Sequence, residues 1–138
     1  MASDRNQRSV IEQFTAADLG RVRGLVERAA RLVGLSRTRS DNLVAAVNEV
    51  AINAILHAGA TGSVTVEQSA DGVSVEIRDH GPGLPFDLST DRPPPDALGG
   101  RGLWLARRLC HHLNIASSPW GVTVRMFMPA GSPRMVTA

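Results

Sequence analysis

Apolar and polar residues along this chain repeat with two different periods, and the change of period separates predicted helices from predicted strands. The longest helical pattern runs from Asp41 to Ala58, where apolar residues recur every three or four positions and mark one side as core. An earlier helix is predicted to begin at Thr15 or Asp18 and to reach about Val33. Gly34 would end that helix with a left-handed cap.

The period becomes two after the long helix. Residues 63–69 and 73–77 alternate on either side of a tight turn, which predicts a β-hairpin. Residues 121–128 alternate again and predict a last strand, whereas residues 9–15 favour a short edge strand. A further helix is predicted from Leu103 to Cys110, since its apolar spacing is helical.

Composition narrows the class of protein. With 138 residues, 43% hydrophobic and 20% charged, the chain is expected to fold as one soluble domain over 1–138, with flexible ends at about 1–8 and 130–138. A net charge of only +2 argues against direct nucleic acid binding. No apolar run is long enough for a membrane span and no secretory signal is present, so a cytoplasmic location is expected. The single cysteine, Cys110, is expected in the core.

Three polar residues interrupt the long helix in an ordered way. Glu49, Asn53 and His57 are each four residues apart, so a carboxylate, an amide and an imidazole lie along one line of the helix. This line is either a candidate for chemistry or an ordinary solvated stripe, and for His57 a capping or packing role is as plausible.

Two glycine-containing stretches follow the hairpin. Asp79-x-Gly81-x-Gly83 cannot continue a strand, and Gly100-Arg101-Gly102-Leu103 opens the later helix, where free amides and the helix dipole favour an anion. Between them, residues 86–98 are rich in proline and aspartate and are predicted to form a mobile flap. Each stretch could also be purely structural, and the chain has neither a Walker loop nor a complete dinucleotide fingerprint.

Taken together and in this order, the long helix and the two glycine stretches resemble the N box and the two glycine boxes of the GHKL superfamily of ATP-binding proteins, which includes gyrase and the histidine kinases. The resemblance covers roughly residues 18–128. It implies an α+β fold, a two-layer α/β sandwich of the Bergerat ATP-binding type. Its mixed, mainly antiparallel sheet would be covered on one face by helices.

The resemblance also implies roles at the adenine end of a bound ATP. The carboxylate of Asp79 would accept a hydrogen bond from the exocyclic amino group of adenine, and a buried carboxylate needs such donors. Gly81 and Gly83 would let the backbone approach the purine. Thr123 on the last strand corresponds to a threonine that helps to hold adenine in the family, although it could equally be an ordinary strand residue.

At the phosphate end, Asn53 would contribute its amide oxygen to a Mg²⁺ ion that also binds phosphate oxygens. Glu49, one turn earlier, would be the catalytic base that accepts a hydroxyl proton. The resemblance further implies that backbone amides of the second glycine box wrap the phosphates, and that Arg101 either neutralises charge or remains solvated. These second-box residues are Gly100, Arg101, Gly102 and Leu103.

Within the superfamily, the chain resembles the bacterial anti-sigma factor serine kinases of the partner-switching type. This implies that it phosphorylates a serine on a STAS-type antagonist protein and sequesters a sigma factor. A nucleotide-gated binding protein without kinase activity is the other hypothesis, and a slow ATPase is a third. A self-phosphorylating sensor kinase is disfavoured because no phosphoacceptor histidine helix precedes the N box. A homodimer is plausible, with Trp120 or Phe127 as possible interface residues.

Overall fold

The computed structural model describes residues 7–58, 62–84 and 100–131. A short 3₁₀ turn, Ala16–Asp18, precedes the first helix. The strands and helices in chain order are β1 Gln7–Phe14, α1 Leu19–Val33, α2 Arg37–Ala58, β2 Gly62–Ser69, β3 Gly72–Arg78, α3 Gly100–Leu109, β4 His112–Ser118 and β5 Gly121–Pro129.

The five strands form one sheet in the order β1-β2-β3-β5-β4. Every pairing of neighbouring strands is antiparallel, so the mixed component of the expected sheet has no counterpart among the described strands. The expected α+β class is confirmed. The predicted β2–β3 hairpin is present, with its turn at residues 70 and 71 and with Val66 opposite Val75.

The helices lie on one face of the sheet. α1 packs against β2 and β3, and α2 packs against β3, β5 and α3. Alternate strand residues are buried beneath the helices, as in β5, where positions 122, 124, 126 and 128 are buried and the intervening positions are more exposed. We call the opposite, helix-free side the outer face. It carries Arg8, Glu67, Glu76, Arg125 and Phe127 among others.

Local capping explains where the helices begin. The Thr15 hydroxyl accepts a hydrogen bond from the Ala17 amide, while the Asp18 carboxylate accepts one from the Thr15 amide at 2.8 Å. Ser36 caps α2, since its Oγ accepts from the Arg39 amide at 3.1 Å. The sequence offers Ser36 or Ser40 as the start of this helix, and α2 begins at Arg37, directly after Ser36. Gly34 ends α1 with the predicted left-handed conformation, φ 85°.

The strand β4 was not predicted. Its apolar residues are only Leu113, Ile115 and Ala116, and the first two are half-buried because β4 lies at the edge of the sheet and beyond most of the helical layer. An edge strand that buries few residues has too little alternation of apolar and polar residues to be predicted from the sequence. The predicted α3 is present and starts earlier, at Gly100.

The two aromatic residues of the expected interface differ in exposure. Trp120 lies in the β4–β5 turn and is 81% exposed, and Phe127 is half-buried on the outer face beside the His112 ring. No helix within the described residues is long and apolar enough to cross a membrane. The predicted flap at 86–98 lies outside the described residues.

The titration of Cys110 gives a test of the core. Burial raises the pKa of this thiol from 9.0 to about 12. Above pH 9 the unfolded chain releases the proton whereas the folded chain retains it, so the free energy of unfolding should fall as pH rises toward 12. The slope from this group reaches about 1.4 kcal/mol per pH unit. Chemical denaturation at several pH values measures it.

The sequence makes this measurement unusually clean. All 15 basic residues are arginines and there is no tyrosine, so no other side chain has an ordinary pKa between 9 and 12. In Cys110→Ala the slope should disappear. An unchanged slope in that variant would contradict a buried, protonated thiol.

Candidate functional site

The polar line of α2 is partly inside the protein. Asn53 is only 4% exposed, and its Oδ1 is buried with no hydrogen-bond donor among the described residues. Glu49, one turn earlier, and His57, one turn later, are half-buried. The solvated-stripe interpretation is therefore wrong for Asn53. Burying an acceptor without a donor costs about 1–3 kcal/mol of folding free energy. This cost indicates that the amide oxygen binds a ligand that the free chain lacks.

The amino-terminal turn of α3 lies directly against Glu49. A Cβ built on Gly102 would be 2.8 Å from Glu49 Oε1, so the glycine is what allows this approach. The first turn of a helix carries free amides and the positive end of the helix dipole. A carboxylate and an anion-binding helix start are thus adjacent.

The remaining residues of the second glycine stretch take different positions. Gly100 and Arg101 form the beginning of α3. The Leu103 side chain is completely buried in the core, where it anchors the helix. A ligand at this turn would therefore meet the backbone of Leu103 and not its side chain.

Asp79 lies just beyond β3 and continues the buried alternation of that strand, with 5% exposure. Its Oδ1 accepts hydrogen bonds from the Gly81 amide at 3.0 Å and from the Val122 amide at 3.1 Å. The Asp79 amide in turn donates to the Val122 carbonyl at 2.9 Å. These bonds fix the carboxyl group, and because both acceptor contacts use Oδ1, neither occupies Oδ2.

The loop after Asp79 is held by β4 and its turn. Gly83 has φ 90°, and a Cβ there would collide with the Ser118 carbonyl oxygen. The Leu84 amide donates to Ser117 Oγ at 2.9 Å. Gly83 is thus required by the protein's own packing, independently of any purine.

Sequence reasoning missed Gly121, which is part of the same arrangement. It has φ 147°, and a Cβ on it would collide with the carbonyl oxygen of Asp79. The only local signal was a glycine directly before an alternating segment, and this cannot reveal a contact between residues more than 40 positions apart. Ser117 and Ser118 were missed with β4.

Thr123 is not brought to Asp79. It pairs with Arg78 on β3 and Ala116 on β4, and it points to the outer face. The neighbouring position that faces the core beside Asp79 is Val122, which is 4% exposed. Side chains of successive strand residues point to opposite faces of the sheet. Thr123 is one position beyond Val122, so its side chain lies on the face opposite Asp79.

The described side chains do not form a site that encloses a metal ion by itself. Within the described ranges, no three histidine, cysteine or acidic side chains cluster to hold a metal ion. The unpartnered Oδ1 of Asn53 is an oxygen ligand of the type that Mg²⁺ accepts when phosphates and waters complete its coordination. The residues thus fit a magnesium–phosphate complex better than a resident, protein-enclosed metal.

Two groups of residues result. Glu49, Asn53 and Gly102 gather where α2 meets α3, and Asp79, Gly81 and Gly83 gather at the end of β3. α2 packs against α3, β3 and β5, so both groups border the helical side of the sheet. One group offers an oxygen ligand, a carboxylate and helix amides, and the other offers a fixed carboxyl group in a mostly apolar setting.

Solved structures share this architecture. The RsbU and RsbW domains of Rv1364c from Mycobacterium tuberculosis align with 92% of this chain at a TM-score of 0.66 and 18% identity, over 33% of that protein. The histidine kinase domain of the Erythrobacter litoralis EL346 blue-light activated kinase aligns with 100% of this chain and 74% of its own chain, at a TM-score of 0.56 and 21% sequence identity. The nucleotide-free catalytic domain of histidine kinase ThkA aligns with 90% of this chain and 96% of its own chain, at a TM-score of 0.55 and 17% sequence identity. These similarities show a common fold.

A curated relative is similar in sequence as well. The sensor protein CseC of Streptomyces coelicolor is 33% identical over an alignment of 102 residues, and the alignment covers 67% of this chain. The match spans 19% of CseC, so the chain corresponds to about a fifth of that relative's length.

The family model of the histidine kinase-like ATPase domain matches residues 13–128, from the end of β1 through β5. That range includes both groups of site residues. It agrees with the proposed single domain over 1–138 without testing the ends, and that boundary stays a prediction. The chain belongs to the histidine kinase-like ATPase domain family.

Proposed function

We propose that this chain binds ATP with Mg²⁺ and uses it as a protein kinase. The observation that carries the proposal is the buried Oδ1 of Asn53, which has no donor among the described residues and lies one helical turn from Glu49, the neighbour of Gly102 at the start of α3. An oxygen kept from water without a donor is costly in the free protein, and a bound cation would remove that cost. The match to an ATPase domain family supports magnesium bound to ATP phosphates as the cation proposed for this position.

The adenine end of the nucleotide belongs at Asp79. Its Oδ1 is already held by two backbone amides, which orients the carboxyl group and leaves Oδ2 as the acceptor for an exocyclic amino group. Gly81 adds no side chain at the point where a base would approach. Thr123 is not included in the proposed site, because its side chain points to the outer face.

At the phosphate end, bound Mg²⁺ would neutralise phosphate charge and orient the terminal phosphoryl group. Asn53 would hold the ion through Oδ1. Glu49 would accept the proton of an attacking hydroxyl, and its Oε1 is held near the first turn of α3 by contact with Gly102. Amides of that turn, including those of Gly102 and Leu103, would bind phosphate oxygens.

For the substrate, we propose a serine on a STAS-type antagonist protein, together with sequestration of a sigma factor. The similarity of the fold to the RsbW-containing region of Rv1364c supports this choice. α1 offers a basic surface for such partners, since Arg21, Arg28 and Arg31 are all exposed.

A second candidate follows from CseC. The 33% identity to this sensor protein favours a domain that transfers phosphate to a histidine. A third possibility, nucleotide-gated binding without transfer, would need the Asn53 and Asp79 groups but not Glu49. The stability of the phosphorylated product distinguishes the first two, because phosphoserine survives acid and phosphohistidine does not.

We expect ATP affinity to depend on Asn53 and Asp79 in different ways. Asn53→Ala should weaken Mg-ATP binding by about tenfold or more and largely remove its magnesium dependence. Asp79→Asn should weaken binding with or without magnesium, because a hydrogen-bond acceptor for adenine is changed. Isothermal titration calorimetry with and without Mg²⁺ measures both effects.

The chain provides matched controls for these variants. Asn114→Ala and Asp71→Asn make the same chemical changes at exposed positions and should bind ATP as the wild type does. Asn53→Ala should also keep the stability of the free protein within about 1 kcal/mol, because the lost oxygen had no donor. Equal ATP binding by wild type and Asn53→Ala would contradict the proposed site.

Glu49→Gln should separate binding from transfer. The amide keeps the size of the side chain but cannot take a proton, so transfer of labelled phosphate should fall about 10²- to 10⁴-fold while the Kd for ATP changes little. Transfer is measured with the candidate antagonist, and the product is then treated with acid. An acid-labile product would favour the histidine kinase candidate, and transfer unaffected by Glu49→Gln would exclude this glutamate as the base.

Gly102→Ala tests the contact between α3 and Glu49. The added methyl group must displace the carboxylate, so transfer should fall by about tenfold or more even though alanine favours a helix. Gly24→Ala in α1 is the matched control, since its Cβ would meet nothing within 4 Å. It should stabilise the protein by up to about 1 kcal/mol without loss of transfer. A Gly102→Ala protein as active as Gly24→Ala would refute the positioning role.

A further inference from the structure

The outer face of the sheet holds a cavity of about 520 Å³ that includes none of the candidate site residues. Cavities that bind small molecules have volumes of about 300–1,000 Å³, so this one has an ordinary size for such a ligand. It lies on the helix-free side of the sheet, whereas Asn53 and Asp79 border the helical side. Its chemistry is set by strand residues whose side chains point away from the core.

A short side chain between longer ones forms the hollow. Strand pairing places one residue of each strand in a row across the outer face, in the order Arg8, Glu67, Ser74, Phe127 and His112. Ser74 is in the middle of this row. Neighbouring strands are about 4.8 Å apart, so Glu67 and Phe127, on either side of Ser74, are separated by about 10 Å at the backbone. This width accepts one aromatic ring.

Phe127 provides an apolar wall for the cavity. Its ring leans over β3, where Gly72 leaves room for it, since a Cβ on Gly72 would be 2.9 Å from Phe127 Cζ. The His112 ring lies 6.1 Å from the Phe127 ring, with 30° between the two planes. Two neighbouring rings of this kind favour a ligand with an aromatic body.

The charges around the cavity are unbalanced in favour of the positive sign. Glu76 is shared by two guanidinium groups, since Arg125 Nε donates to it at 2.7 Å and Arg78 Nη2 lies 3.8 Å from it. The other carboxylate, Glu67, has Arg8 at 3.7 Å. Three arginines therefore accompany two glutamates, and the excess positive charge lies beside Glu76. This end of the cavity is complementary to an anion.

Arg125 has donors left for that anion. Its hydrogen bond to Glu76 uses Nε, and its Nη1 and Nη2 make no hydrogen bond with any part of the chain that the structure describes. The side chain is 67% exposed. The terminal nitrogens of an arginine bind a carboxylate in a bidentate way. Arg125 is two positions from Phe127 on the same face of β5, so one small molecule can contact both.

We propose that this cavity binds a small organic carboxylate that carries an aromatic ring. The carboxylate accepts hydrogen bonds from the terminal nitrogens of Arg125, and the ring lies over Ser74 against Phe127. The sheet separates this cavity from Asn53 and Glu49, so the proposal does not rest on nucleotide binding.

Three related compounds test the chemistry of the ligand. 3-Phenylpropionate has both the carboxylate and the ring, 3-phenylpropylamine carries an ammonium group instead of the carboxylate, and propionate lacks the ring. Each is titrated into isotopically labelled protein while amide chemical shifts are followed by NMR. 3-Phenylpropionate should bind with a dissociation constant of about 1–10 mM and shift residues of β3, β4 and β5 at the cavity. The other two compounds should bind about tenfold more weakly or less.

Substitutions test the two contacts separately. Arg125→Gln should raise the dissociation constant for 3-phenylpropionate by about fivefold or more, and Arg125→Lys, which keeps the charge, should raise it less. Arg37→Gln is the matched control, because Arg37 is also an exposed arginine with a carboxylate nearby but lies on α2. Phe127→Leu keeps an apolar side chain and should weaken binding of 3-phenylpropionate but not of propionate. Circular dichroism verifies folding of each variant.

Four outcomes would overturn the proposal. No change of chemical shifts at concentrations well above the expected range would mean that the cavity binds no such ligand. Equal binding of 3-phenylpropylamine would exclude recognition of an anion, and an Arg125→Gln protein that binds like Arg37→Gln would exclude this arginine. Displacement of 3-phenylpropionate by Mg-ATP would place it in the candidate nucleotide site, whereas binding unchanged by Mg-ATP would support a separate cavity.

Discussion

The packing of α2 against the sheet on one side and α3 on another is the constraint on which the site depends. A helix enclosed by several elements must bury residues over more than one stripe, and in α2 the polar line through Asn53 is drawn into that buried surface. Apolar residues there would pack at lower cost. The amide instead lies where its oxygen has no donor among the described residues, a feature that an ordinary amphipathic helix would lack.

The same packing brings chemistry from distant segments together. Gly102 lets α3 approach Glu49, and Gly121 lets β5 approach the backbone of Asp79. In both places the absence of a side chain on one element allows the other to approach closely. These two glycines thus contribute to the site through packing.

The two carboxylates are held differently, and this suits the roles proposed for them. Asp79 is nearly inaccessible and fixed by two backbone amides, as required of a group that recognises a base. Glu49 is half-buried, lies beside a helix start and accepts no such hydrogen bonds from the described residues. β1, on the far edge of the sheet, belongs to neither group.

The sequence by itself determined the helices α1 and α2, the β2–β3 hairpin and the order of the glycine stretches, because period, caps and turn residues are local signals. The structure alone decided that Asn53 is buried without a donor in the described part of the chain, that Gly102 lies against Glu49 and that Thr123 faces away from Asp79. It also revealed β4, whose few apolar residues gave no clear alternation. These features depend on which elements meet and on which side of a strand a residue falls, and a shift of a single position reverses that side.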